Sequence, residues 1–164
     1  RASLKTITNI RGGYSSIVYA HPEYLETLAT STAISDHVKV DLALYGCPVS
    51  KEQLVETITA LVTGRRPDLP AHSVCVECKA RGTVCVLVAE GTPCLGPVVR
   101  VGCGAICPSY ARGCYGCFGP CASLNVASLA TAWDAAGVPR ATLVRALQGF
   151  TVGAPEFQEA VHAL

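Results

Sequence analysis

The chain has 164 residues, of which 50% are apolar and only 15% charged, and its formal net charge is +1 at pH 7. That length fits one compact domain, or one with a small appendage. Near-neutrality excludes a strong electrostatic case for nucleic acid or an anionic membrane surface, and so apolar a composition excludes a disordered chain. No apolar run approaches the roughly 18 residues of a spanning helix, so membrane insertion is not expected. A chain so poor in charge is instead expected to bury surface against partner subunits. It starts Arg1-Ala2-Ser3, without Met or a signal-peptide pattern, and reads as a piece of a longer cytoplasmic protein.

Cysteine usage divides the sequence into three zones. Residues 1–70 hold a single cysteine, residues 71–121 hold nine of the ten, and residues 122–164 hold none. The first zone reads as α/β. A helix-like stretch is expected over residues 22–30, and alternating apolar residues predict a strand over 38–44. Tyr45-Gly46-Cys47-Pro48 breaks that strand. Ser50 and Gln53 have the spacing of a capping box for a helix running to Thr63. Leu54, Val55, Ile58, Leu61 and Val62 form its expected apolar face, and Gly64 suits its C-terminal cap. Cys47 therefore falls in a strand-to-helix loop, where α/β sheets place their ligands. The cysteine-rich zone, with many glycines, predicts mostly loops, with a short strand or helical turn over 84–89. Three short helices are expected over 124–136, 139–148 and 155–164, two of them opened by proline. Trp133 is the expected anchor between them.

The cysteines from Cys75 to Cys117 are separated by 2, 6, 8, 8, 3, 6 and 2 residues. This near-palindrome, C-x2-C-x6-C-x8-C followed by C-x3-C-x6-C-x2-C, suggests two four-thiolate sites side by side. Disulfides are one reading, but a secreted staple framework fits poorly with a flanking α/β zone able to build its own core. Zinc is a second, although each group of four has only one tight C-x2-C pair. Iron–sulfur clusters are the third and are favoured. A [4Fe–4S] cube takes a C-x2-C pair with distant single cysteines, and Cys47-Pro48 and Cys107-Pro108 repeat the Cys-Pro step of ferredoxins. The six glycines from Gly91 to Gly116 let backbone N–H groups approach cluster sulfurs. Cys121 lies beyond both sets of four and reads as a non-ligand. His72, three residues before Cys75, reads as an ordinary histidine rather than a ligand. Arg65, Arg66 and Arg81 read as solvated loops or partner contacts. No nucleophile–base set, phosphate loop or catalytic carboxylate pair is visible.

The segments CVECKARGTVC (75–85), GTPCLGP (91–97), GCGAICPSY (102–110) and GCYGCFGP (113–120), with YGCP at 45–48, resemble the small subunit of nickel–iron hydrogenases. The similarity is to the cytosolic branch that includes sulfhydrogenase and cofactor-reducing enzymes, and it covers residues 16–120. The resemblance implies an electron-transfer subunit with three [4Fe–4S] clusters leading from a nickel–iron centre in a large subunit. Cys75, Cys78, Cys85 and Cys94 would hold the distal cluster, and Cys103, Cys107, Cys114 and Cys117 the medial one. Cys47 matches one ligand of the proximal cluster. The family's other proximal ligands, an early C-x2-C and a further cysteine, have no counterpart before Cys47. The implied architecture is a remnant of a flavodoxin-like α/β domain, comprising strand, cluster loop and helix. A loop-rich iron–sulfur region and short C-terminal helices follow it. Two complete clusters are expected in this chain and a third, proximal one in the intact subunit. The implied partners are the large subunit, where hydrogen is activated, and a flavin- or iron–sulfur-bearing electron-transfer subunit. Two rival functions are a zinc-stabilised interaction module and a quinone-reductase-type small subunit. The latter carries a single cluster, and the eight cysteines from Cys75 to Cys117 argue against it.

Overall fold

The computed structural model describes residues 17–24 and 32–164, which fall into two units, Arg1–Asp41 and Leu42–Leu164. In the first unit the described residues form two short 3-10 turns, Pro22–Tyr24 and Ile34–Asp36. The helix expected over 22–30 continues into residues that lie outside those described. The strand expected over 38–44 does not form. Val38, Val40 and Leu42 are all exposed, and among the described residues no segment lies alongside to complete a ladder. Alternation alone cannot hold a strand whose backbone groups have no partner.

The second unit begins with helix α1 (Lys51–Val62), bounded as its sequence predicts. The Ser50 hydroxyl accepts the Gln53 N–H at 3.4 Å. Gly64, at φ +69°, lets its own N–H reach Leu61 O and that of Arg65 reach Ala60 O, closing the C-terminus. The capping box is only half formed, because the Gln53 side chain turns away from Ser50. Its amide Nε2 donates to Val101 O at 3.0 Å instead. The face of α1 is the larger correction. Gln53, Thr57 and Ala60 are buried, whereas Leu54, Val55, Ile58, Leu61 and Val62 are exposed. Gln53 and Thr57 bury at little cost because both are satisfied, Thr57 Oγ1 donating to Gln53 O at 2.7 Å.

The cysteine-rich zone is more helical than its composition suggests. Cys75 and Cys78 sit on α2 (Val74–Ala80), Cys85 precedes α3 (Val86–Glu90), and Cys107 lies in α4 (Ile106–Ser109). Between α3 and α4, a 3-10 turn (Gly96–Val98) and the residues after it run between two neighbouring segments. Single bridges pair Ser73 with Arg100 and Val99 with Pro120. Three further helices follow: α5 (Val126–Ala135), α6 (Arg140–Leu147) and α7 (Pro155–Ala163). They match the expected three to within two residues at each end. Asn125 caps α5, accepting the Ser128 N–H at 2.9 Å. Helix α6 packs on both α5 and α7, while α5 and α2 pack on the 3-10 turn. Trp133, Phe157, Leu143 and Leu147 from the helices meet Leu95, Val98, Val99 and Val74 in one core. Among the described residues no helix is long and apolar enough to cross a membrane.

Candidate functional site

Four connections draw the cysteine loops together. Leu95 N–H donates to Cys114 O at 3.0 Å, and Cys114 N–H donates to Cys94 Sγ at 3.2 Å. Gly96 N–H also donates to Cys94 Sγ, at 3.4 Å. Thr151 Oγ1, buried before α7, donates to Gly116 O at 3.1 Å and fixes the turn between Cys114 and Cys117. Trp133 does more than join the C-terminal helices, since its Nε1 donates to Cys94 O at 3.3 Å.

Gly113 makes the closest approach. A Cβ there would overlap the Pro93 carbonyl and lie 3.2 Å from Cys94 Cα, so only glycine lets these two backbones touch. Gly113→Ala should therefore destabilise the chain by about 1–3 kcal/mol through overpacking. Urea unfolding at equilibrium checks this: an unchanged midpoint would mean that the two loops separate freely.

The thiols of Cys75, Cys78, Cys85 and Cys94 stand within electrostatic reach of one another. Burial pushes Cys75 up to about 11, and neighbouring Cys94, Cys78 and Cys85 hold its proton on further. Cys78 is raised in the same way, by burial first and then by Cys94 and Cys85, with Cys103 and Glu77 adding to it. Around Cys103 a second group forms. Cys107 and Cys117 are both raised, chiefly by burial and then by Cys103, while the Arg112 guanidinium partly offsets the effect at Cys107. Cys114 is pushed strongly up by burial, an effect that the Gly116 N–H opposes in part. Cys114 feels Cys94 as well as Cys103 and Cys117, so it lies where the two groups adjoin. A metal entering either group must displace thiol protons, because only the thiolate is a ligand.

Cys47 is exposed in the loop before α1, near enough to Cys117 to influence its thiol. Cys121 is buried, and its thiol donates to Pro97 O at 3.6 Å. His72 is exposed and contributes its carbonyl, which accepts the Val101 N–H at 3.1 Å.

Two charged residues belong to this region. Glu77, which sequence reasoning left aside, lies between Cys75 and Cys78 on α2. Its two carboxylate oxygens accept the N–H groups of Gly102 and Ala105, at 3.1 and 3.0 Å. One helical turn on, exposed Arg81, read from the sequence as a solvated loop or partner contact, donates from Nη1 to Ser109 Oγ at 2.9 Å. Arg65, read in the same way, pairs with half-buried Glu56, and together with the Asp68 N–H it holds the Glu56 carboxyl down to about 2. The only early signal for Glu77 is a carboxylate inside a C-x2-C pair.

The donor set is made of thiols, and thiolates are the ligands that an iron–sulfur group takes. At Gly96 a Cβ would lie 3.3 Å from Cys94 Sγ and 3.6 Å from Cys75 Sγ, so glycine keeps open the space that those two sulfurs border.

No family model matches the chain. The delta subunit of sulfhydrogenase 2 from Pyrococcus furiosus is 40% identical over 109 residues, covering 66% of this chain and 46% of the relative. The vhu G-type subunit of the F420-non-reducing hydrogenase from Methanocaldococcus jannaschii is 36% identical, covering 52% of this chain and 36% of that one. The chain is similar to part of these delta- and G-type hydrogenase subunits. Another relative, 29% identical over 60% of the chain, is the iron-sulfur G-type subunit of the F420-non-reducing hydrogenase from Archaeoglobus profundus. The chain spans less than half the length of the relatives it matches.

Proposed function

We propose that the chain is an electron-transfer part of a nickel–iron hydrogenase and holds two [4Fe–4S] clusters. Cys75, Cys78, Cys85 and Cys94 are the ligands of the distal cluster, and Cys103, Cys107, Cys114 and Cys117 those of the medial cluster. The observation that carries this reading is the gathering of eight thiols into two adjoining groups that meet at the Cys94–Cys114 contact. The relatives' names, one of them an iron–sulfur subunit, support it.

Bound clusters of this kind take up and release single electrons with little rearrangement. The protein's part is to hold them rigid and dry. Leu95, Val98, Val99 and Val86 form an apolar floor, and the N–H groups of Gly96 and Cys114 stabilise negative charge on the Cys94 sulfur. Cys47, exposed in the loop before α1 and near Cys117, is proposed as a ligand of a third, proximal cluster in the intact subunit. Hydrogen activation is assigned to a large subunit with a nickel–iron centre. The group at Cys75–Cys94, with exposed Cys85 at its edge, would face a flavin- or iron–sulfur-bearing partner.

Anaerobic iron, sulfide and zinc analysis of the chain, with EPR after dithionite reduction, tests the reading. About eight irons and eight sulfides per chain, with signals from two reduced clusters, are expected. About two zinc ions and no EPR signal would overturn it in favour of a structural module.

A further inference from the structure

Resting on the two-cluster reading, we propose that Glu77 is a positioning residue that joins the two sites and places one carboxylate charge between them. Its Cα belongs to the helix that carries Cys75 and Cys78, while its oxygens grip the backbone on either side of Cys103. The gripped loop is conformationally demanding. Gly102 has φ +141° and Gly104 +65°, and Ala105, with a side chain, sits at +52°. Those angles turn the Gly102 and Ala105 N–H groups toward the same side chain, where each finds an acceptor.

No neutral residue provides the same contact. Both carboxyl oxygens accept, whereas an amide offers one acceptor and a donor that would face an N–H. Gln53 holds the other side of this loop through Val101 O, and Arg81 bonds Ser109 at the end of α4. The loop carrying Cys103 is therefore fixed from α1 and from α2; Glu77 brings a negative charge to it, while the Arg81 guanidinium lies beside Gly104. A negative charge beside a cluster disfavours the incoming electron. Because Glu77 lies between both thiol groups, it should lower the midpoint potentials of both together, keeping the step between them small.

The test compares the full chain, anaerobically loaded, with its Glu77→Gln and Glu77→Asp variants by iron analysis and EPR-monitored redox titration. Glu159→Gln, an exposed carboxylate on α7, controls for net charge. Both midpoints should shift upward in Glu77→Gln, whereas Glu77→Asp should stay near wild type and Glu159→Gln should not move. If Glu77→Gln loses one cluster, the remaining one still reports the charge, and an unmoved midpoint overturns the proposal. Equal shifts in the Gln and Asp variants also overturn it, because they would reflect loop geometry rather than charge. A wild-type chain without iron would defeat this proposal together with the two-cluster reading. A loaded wild type with unmoved midpoints defeats the role of Glu77 alone.

Discussion

Cys114→Ser should remove or convert one cluster and leave the other largely intact, so that iron falls from about eight per chain to about four if the cluster is lost, or to about seven if it is converted to a three-iron form. Serine is nearly isosteric, but its hydroxyl is a poor iron ligand and would be buried where the thiol now is. The backbone contacts at this position survive the change. The N–H of residue 114 still donates to Cys94 Sγ, and its carbonyl still accepts from Leu95, so the neighbouring group keeps its shape. Iron analysis with EPR of the reduced variant gives the answer. If the variant instead releases zinc and unfolds with no iron signal, the relay reading fails.

Trp133→Ala should cost about 3–5 kcal/mol, the range for deleting a large buried aromatic side chain. Trp133 is 2% exposed, at the centre of the core that α5, α6 and α7 share with Leu95 and Val98. Its loss leaves a cavity and also frees the Cys94 carbonyl, whose partner is the indole Nε1. Trp133→Phe separates the two effects. It retains most of the volume and removes the hydrogen bond, so about 1 kcal/mol is expected from that bond. Denaturant unfolding of the loaded chain measures both. Equal midpoints for wild type and Trp133→Ala would show that the C-terminal helices do not support the cysteine loops.

Stability and site are linked here by hydrogen bonds made at the cysteines themselves. Cys94 alone offers its sulfur to two N–H groups and its carbonyl to Trp133. Changes well outside the cysteine pattern should therefore alter how firmly a cluster is held. Thr151, which holds Gly116 from a position 35 residues away, is one such place.

What the sequence determined by itself was local. Ser50 and Gly64 bound α1, and the proline starts of the last two helices were legible, because such end signals act within a few residues. The division of the cysteines into two sets was visible in their spacing. The flavodoxin-like remnant is a proposal; the two single bridges among the described residues lie in the cysteine-rich zone, outside residues 1–70. Tertiary structure decided the rest. Nothing local tells α1 to bury Gln53 and Thr57 and expose Leu54 and Ile58. That choice follows from a hydrogen bond between Gln53 and Val101, 48 residues away. The strand over 38–44 fails for the complementary reason, that a ladder needs a neighbour which no local pattern supplies. Locally, Glu77 is no more than a carboxylate inside a cysteine pair. Its role arises only because the fold brings Gly102 and Ala105, 25 and 28 residues along, within reach of its two oxygens.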